Sequence, residues 1–239
     1  MPLIADFRMS AMLVVFAALM VSACSLSKLK GDPGPSSKSS SKSSASSSAF
    51  SPSSDARKDL GDALRKLKTA YPYRLTETMS ATANGQTAMP ESTRVTEFAA
   101  ADRSHVKWTG GSGGDFEQLT IGEKRYSYLS GKWMEETGPS TAQREKRGLE
   151  FANKLAEMTK EVKFLGPETI NGVPCFAYAY TLETTLSGQS YVGTGKAWIG
   201  AADGLPRQND TEFKVATYAY KSHITYEYNV DVKVEKPAM

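Results

Sequence analysis

Between Tyr73 and Tyr228 the chain breaks into short runs of period two, divided by residues that reverse a backbone, and this pattern constrains the fold more than any other feature. The candidate strands are Tyr73–Thr82, Ser92–Ala100, His105–Thr109, Phe116–Ile121, Lys124–Leu129, Lys132–Glu135, Val162–Leu165, Cys175–Thr185, Tyr191–Ile199, Pro206–Lys214, Thr217–Tyr228 and Val230–Val234. Asn84-Gly85, Gly110 to Gly114, Ser130-Gly131, Asn171-Gly172, Ser187-Gly188 and Asp203-Gly204 punctuate them. Reversals this short join antiparallel neighbours, because a parallel crossover needs a dozen residues or more. In Phe176-Ala177-Tyr178-Ala179-Tyr180 and Tyr218-Ala219-Tyr220 the rings project to one face and the alanines to the other. One side of the sheet is therefore crowded and the other thin.

Two stretches change period. Asp55 to Ala70 reads as a helix, with Leu60, Ala63, Leu64 and Leu67 at helical spacing and Ser53, Ser54 or Asp55 available to cap it. Ser140 to Lys160 reads as a second, with Leu149, Ala152, Leu155, Ala156 and Met158 on one broad apolar side. One internal helix among so many strands argues against a parallel α/β fold. The expected fold is mainly β (α+β): a strongly curved antiparallel sheet with helices packed on its concave face. About 180 residues is a normal size for one such domain.

The N-terminus carries Arg8, the apolar run Ala11 to Met20, and the small residues Val21-Ser22-Ala23 before Cys24, the organisation of a secretory signal peptide. The run falls short of the roughly 20 apolar residues that span a bilayer. Val21-Ser22-Ala23-Cys24 resembles the lipobox of bacterial lipoproteins, whose cysteine sulfur receives a diacylglycerol and becomes the mature N-terminus. The expected organisation is a signal peptide over 1–23, lipidated Cys24 with a Ser-rich disordered linker over 24–54, and a β-rich domain over 55–239. Two or more acyl chains, at about 0.8 kcal/mol per buried CH₂, would hold the chain on a membrane. Ser25 after the lipidated cysteine implies sorting to an outer membrane in a host that has one, at its periplasmic face or the cell surface. The serine-rich run lacks apolar surface to offset its ordering and reads as a tether, with a reach of about 5–6 Å × √n.

Charge and chemistry exclude more than they suggest. A net charge of +3 and a pI near 8.7 are too mild to imply nucleic acid. With Cys24 committed to lipid, Cys175 remains alone, so no intramolecular disulfide framework is expected, and its apolar neighbours point to a small buried hydrophobe. His105 and His223 are the two histidines, far apart and without ligand-spaced partners, so no metal and no cofactor is expected. Glu135 and Glu136 point to opposite faces of a strand. The glycines of 110–114 lack the helix and Lys-Ser/Thr ending of a phosphate loop, and no Gly-x-Ser-x-Gly elbow is present. These absences lead to a non-catalytic expectation.

Several phrases resemble the superfamily of prokaryotic lipoproteins and lipoprotein localisation factors, the LolA/LolB-like fold. They are Ala101 to Lys107, Glu117 to Gly122 with Lys124 to Tyr128, Gly131-Lys132-Trp133, Gly166 to Val173, and Lys196 to Gly200 running into Asp203-Gly204-Leu205-Pro206-Arg207. The similarity covers about residues 56–236 and implies that the curved sheet forms an unclosed half-barrel wrapped over helices. Members hold lipid or acyl chains in the half-barrel cavity, and some instead sense envelope stress. The resemblance implies a lipid-anchored envelope protein that binds a lipid-like apolar ligand, or a structural or sensory lipoprotein with a filled cavity that binds a protein partner through an edge strand or helix face. The residues expected to line a ligand are Trp108, Tyr126, Tyr128, Trp133, Leu149, Leu155, Met158, Phe176, Tyr178, Tyr180, Tyr218 and Tyr220; Cys24 is the lipidation site. Trp198, Tyr226 and Tyr228 complete the aromatic set, and the competing expectation is that such rings are simply core.

Overall fold

The computed structural model describes residues 49–111, 114–140, 143, 158–186 and 189–239. Helix α1 (Ala56–Leu67) precedes β1 (Tyr73–Ala83), β2 (Gln86–Ala100), β3 (Arg103–Gly110), β4 (Phe116–Ile121), β5 (Lys124–Leu129) and β6 (Lys132–Thr137). After the segment that follows β6 come β7 (Thr159–Ile170), β8 (Val173–Leu186), β9 (Gln189–Gly200), β10 (Pro206–Val215) and β11 (Tyr218–Tyr228). All eleven strands form one sheet in the order β6-β5-β4-β3-β2-β1-β11-β10-β9-β8-β7, and every pairing is antiparallel. The sheet is two meanders, β1–β6 and β7–β11, zipped together where β1 meets β11. Strands β6 and β7 remain unpaired edges, so the half-barrel is not closed.

Hairpin chemistry explains the short connections. Asn84 (φ 51°) with Gly85 (φ 80°), and Asn171 (φ 51°) with Gly172 (φ 80°), take the two left-handed conformations of a tight turn whose twist matches the flanking strands. Asp55 caps α1, its carboxylate accepting from the Lys58 N–H at 3.0 Å. Asp59, Ala63 and Leu67, four residues apart, form the buried stripe of the helix. Ala63 packs with Tyr178, Ile199, Val162 and Phe176 on the inner face of β7–β9, while Leu67 joins Tyr73, Leu75, Phe98, Ile224 and Tyr226 at the β1–β11 seam. Burying each large side chain contributes about 1.5–3 kcal/mol.

The structure differs from expectation in four places. Val230–Val234 is not a strand, because the edges of β11 are already taken by β1 and β10; the segment instead lays Val232 and Val234 across the outer face. Strand β7 begins at Thr159, which pairs with Leu182, so the helix expected over Ser140 to Lys160 ends before that point, and most of it lies outside the described residues. The same strand continues past Leu165 through Gly166-Pro167 by a register shift between Phe164 and Gly166, and Pro167 is tolerated there because β7 is an edge. Phe50, assigned to the linker by its serine-rich surroundings, belongs to the domain: its N–H donates to the Ala201 carbonyl at 2.9 Å and its ring meets Phe176 at 5.9 Å.

Candidate functional site

Register across the sheet sorts every side chain to one of two faces. The inner face carries α1, and a row running from β2 to β7 through Arg94, Glu77, Ile224, Asn209, Ala197, Tyr178 and Phe164 fixes which parity of each strand points there. On this face lie Trp108, Phe176, Tyr178, Tyr180, Tyr218 and Tyr220 from the expected ligand set. Trp108 stands between Arg94 and Phe116 and is half-buried. Tyr178 is fully buried and donates its hydroxyl to Asp59 of α1 at 3.0 Å, so burial and that carboxylate push its pKa up, and it is core. Tyr220 stacks on Phe213 at 4.8 Å, with Tyr218 beside it.

The remaining members of that set are elsewhere. Tyr126, Tyr128 and Trp133 point to the outer face, together with Leu119 and Ile121. Tyr126, only 2% exposed, is roofed by Val234 of the C-terminal segment, while Tyr128 meets Trp133 at 5.2 Å and stays exposed. No single cavity can therefore be lined by all twelve. Met158 is buried at the entry to β7, and Leu149, Leu155 and Cys24 lie outside the described residues.

The inner face is divided into three zones. At one end Leu67, Tyr73, Leu75, Phe98, Ile224 and Tyr226 form an apolar cluster; at the other Ala81, Phe213, Val215 and Tyr220 form a second. Between them runs a polar band. Its centre is the ion pair of Glu77 and Arg94, at 2.7 Å and with each side chain 6% exposed. Burial pushes the Arg94 guanidinium below its ordinary pKa, opposed by the charge of Glu77. Ser222 donates to Glu77 Oε1 at 2.9 Å, and Ser92 reaches the Met79 carbonyl at 3.4 Å. Thr96 is completely buried beside Arg94 on β2. Farther along, Tyr180 crosses over Gly195 to meet Asn209 Oδ1 at 2.7 Å and Thr211 Oγ1 at 2.8 Å.

Sequence reading missed this band, although strand parity contains it. In Leu75-Thr76-Glu77-Thr78-Met79 the glutamate shares the parity of two apolar residues, and Arg94 shares that of Phe98. Isolated charges in alternating strands read as solvent-facing until that parity is counted.

Comparison with known proteins returned solved structures alone: no family model matches the chain, and no curated protein matches it. Mycobacterium tuberculosis lipoprotein LppX is similar at 12% identity and a TM-score of 0.47, with 75% of this chain and 97% of that one covered. LprF from Mycobacterium bovis is similar at 12% identity and 0.47, over 80% and 100%. A LolA superfamily protein from Nitrosomonas europaea is similar at 9% identity and 0.29, over 69% and 88%. The half-barrel itself is read from the pairing registers given above.

Beyond the tail, the outer face carries several ion pairs. Arg74 bridges Glu97 at 2.6 Å and Glu227 at 3.0 Å, and His105 meets Glu117 at 2.7 Å. A groove of about 320 Å³ there includes Asp210, Glu212, Lys221 and His223; Asp210 meets His223 at 2.5 Å and Lys221 pairs with Glu212 at 2.9 Å. Trp198 covers Ala177 and donates to Glu168, which also binds Lys196; these bonds, that of Lys196 first, hold the Glu168 carboxyl below the usual carboxylate range. Burial raises the Cys175 thiol beneath them. Among the described residues no group of three His, Cys, Asp or Glu side chains is arranged to hold a metal ion, and no helix is long and apolar enough to cross a membrane.

Proposed function

We propose that this protein is a lipid-anchored, non-catalytic envelope lipoprotein that holds a lipid-like apolar ligand against the inner face of its half-barrel. The observation that carries the reading is the unequal covering of that face by the described residues. Helix α1 packs on the wing formed by β7–β10, where Tyr178 and Ile199 are core, whereas Trp108 and Phe116 on the other wing remain half-buried and Met134 is 50% exposed. Apolar surface of this kind gains about 25 cal/mol per Å² when a ligand covers it. Attachment through Cys24 supplies the membrane from which such a ligand would come, and the serine-rich tether gives the domain reach. An outer membrane is the expected destination because Ser25 follows the cysteine.

Native mass spectrometry of the domain released by mild extraction tests the ligand half: a mass increment from co-purifying lipid is expected, and a bare polypeptide mass would overturn it. Palmitate labelling tests the anchor, which an unmodified Cys24 thiol in the mature protein would refute.

A second reading, a sensory or structural lipoprotein that binds a protein partner, is favoured by edge strand β7. Phe164 and Leu165 are exposed there, beside a groove of about 580 Å³ formed by residues 53–57 and 160–164. Crosslinking in intact cells through a photoreactive residue at Leu165 separates the two, since ligand carriage needs no neighbour at that edge.

A further inference from the structure

The two edges of the sheet are guarded unequally. Strand β7 carries devices that keep a free edge from pairing: register shifts between Thr159 and Val162 and between Phe164 and Gly166, Pro167 within the strand, and the Arg57 guanidinium bonded to the Lys160 carbonyl. Strand β6 has no such interruption. Its six residues pair with β5 without a shift, from Lys124–Thr137 to Leu129–Lys132, and among the described residues no strand takes its other side. Lys132, Glu135 and Glu136 are exposed along it, and Met134 is 50% exposed. Fixed charges on an edge discourage pairing with an arbitrary strand. Against the same sequence running the opposite way, these charges attract in one register.

We propose that β6 pairs antiparallel with β6 of a second copy of this chain, about a two-fold axis that passes through Met134 and stands normal to the sheet. An axis of that kind keeps inner face beside inner face, so residues directly opposite share a parity and the register must be centred on a residue. Centring on Glu135 would set that carboxylate against its own copy, and like charges directly opposite destabilise a pair. Centring on Trp133 would leave Lys132 facing Met134. Centring on Met134 sets Lys132 opposite Glu136 of the second copy, once on each side of the axis, with Met134 meeting its own copy between them on the inner face. On the outer face the same register sets Trp133 against Glu135, whose charge is already balanced by Lys124 at 2.6 Å. Lys132 has no ion-pair partner among the described residues, and the nearest cation to Glu136 there is Arg125, at 3.8 Å. Both charges are therefore available to the second copy. The pairing runs along the sheet edge, leaves Trp108 and Phe116 uncovered, and does not depend on the ligand-carrying reading.

Cysteine crosslinking of the full chain in intact cells, with copper phenanthroline as oxidant, reads the register. Residues directly opposite in an antiparallel pair lie within the Cα separation that a disulfide spans, and diagonal neighbours fall at or beyond its limit. Met134→Cys should give a species of twice the chain's mass on non-reducing gels, absent from the wild type. Trp133→Cys and Glu135→Cys should each give little alone, and should link to one another when the two variants are expressed together. In the Met134→Cys background, Lys132→Glu and Glu136→Lys should each lower the linked fraction about tenfold, and the two combined should restore it to within about twofold, since the pair recurs with its signs exchanged. Absence of linkage at Met134→Cys overturns the pairing, as does linkage to a species of another mass, which would give this edge to a different protein. Stronger linkage by Trp133→Cys or Glu135→Cys alone, or no recovery in the doubly reversed variant, overturns the register.

Discussion

Tyr180 shows how much a single missing side chain decides. Its ring reaches across β9 only because Gly195 has no Cβ; one built there would lie 2.1 Å from the Tyr180 Cζ. Gly195→Ala should therefore expel the ring and break its bonds to Asn209 and Thr211, lowering stability by about 2–4 kcal/mol, which urea unfolding would read directly. A midpoint unchanged from wild type would show that the ring has another resting place. On the outer face, the Glu168 carboxyl sits below its ordinary value of 4.5 because it is better bonded when charged. A depressed folded pKa contributes stability that is complete above the unfolded value and lost as pH falls through the folded one. Carbon-detected NMR should accordingly place the Glu168 midpoint below 4.5, and a midpoint at or above it would dismiss the clasp with Lys196 and Trp198. The alternation that assigned Tyr178 and Ala177 to opposite faces was legible in the sequence. What could not be read was whether Tyr126 on β5 shares a face with Tyr178 on β8, since that depends on the eight strand-to-strand registers between them and not on either strand.

At the scale of the element, α1 is fastened by charge as much as by apolar contact. Asp59 accepts from the Ser53 N–H at 3.0 Å and from the Tyr178 hydroxyl at 3.0 Å, joining the entering chain, the helix and β8 through one buried carboxylate. Asp59→Ala would strand the Tyr178 hydroxyl and should cost about 2–3 kcal/mol, against about 1 kcal/mol for Asp55→Ala, which removes only the cap. Thermal unfolding of the two variants side by side tests the ranking, and reversal of their order would show that Asp59 is dispensable. The sequence disclosed the helix and narrowed its cap to Ser53, Ser54 or Asp55, because both are local signals. It could not disclose Asp59 as an anchor, since its partner lies 119 residues away, nor exclude Val230–Val234 as a strand, since only the sheet order reveals that both edges of the preceding strand β11 are taken.

For the whole molecule, antiparallel order followed from turn chemistry and the unclosed sheet from the resemblance of its motifs to a known fold, whereas the division of the inner face into apolar, polar and apolar zones emerges only once both meanders are assembled. Each meander is built from neighbours in sequence and can form early. The ladder from Tyr73–Tyr228 to Ala83–Tyr218 joins residues some 150 positions apart and must wait, because closing so long a loop has to precede any gain from it. The backbone that links β6 to β7 thus connects the two outermost strands, while the ladder at the middle joins β1 to β11. A chain severed anywhere in 141–157 and expressed as two polypeptides should reassemble along that central ladder, aided by α1, which belongs to the first piece and docks on strands of the second. Affinity purification of one half should recover the other in equal amount. Natural splicing of such halves, or insertion of a foreign module at the joint, would then be tolerated by a protein whose two wings are, in effect, separate parts sharing one hinge line.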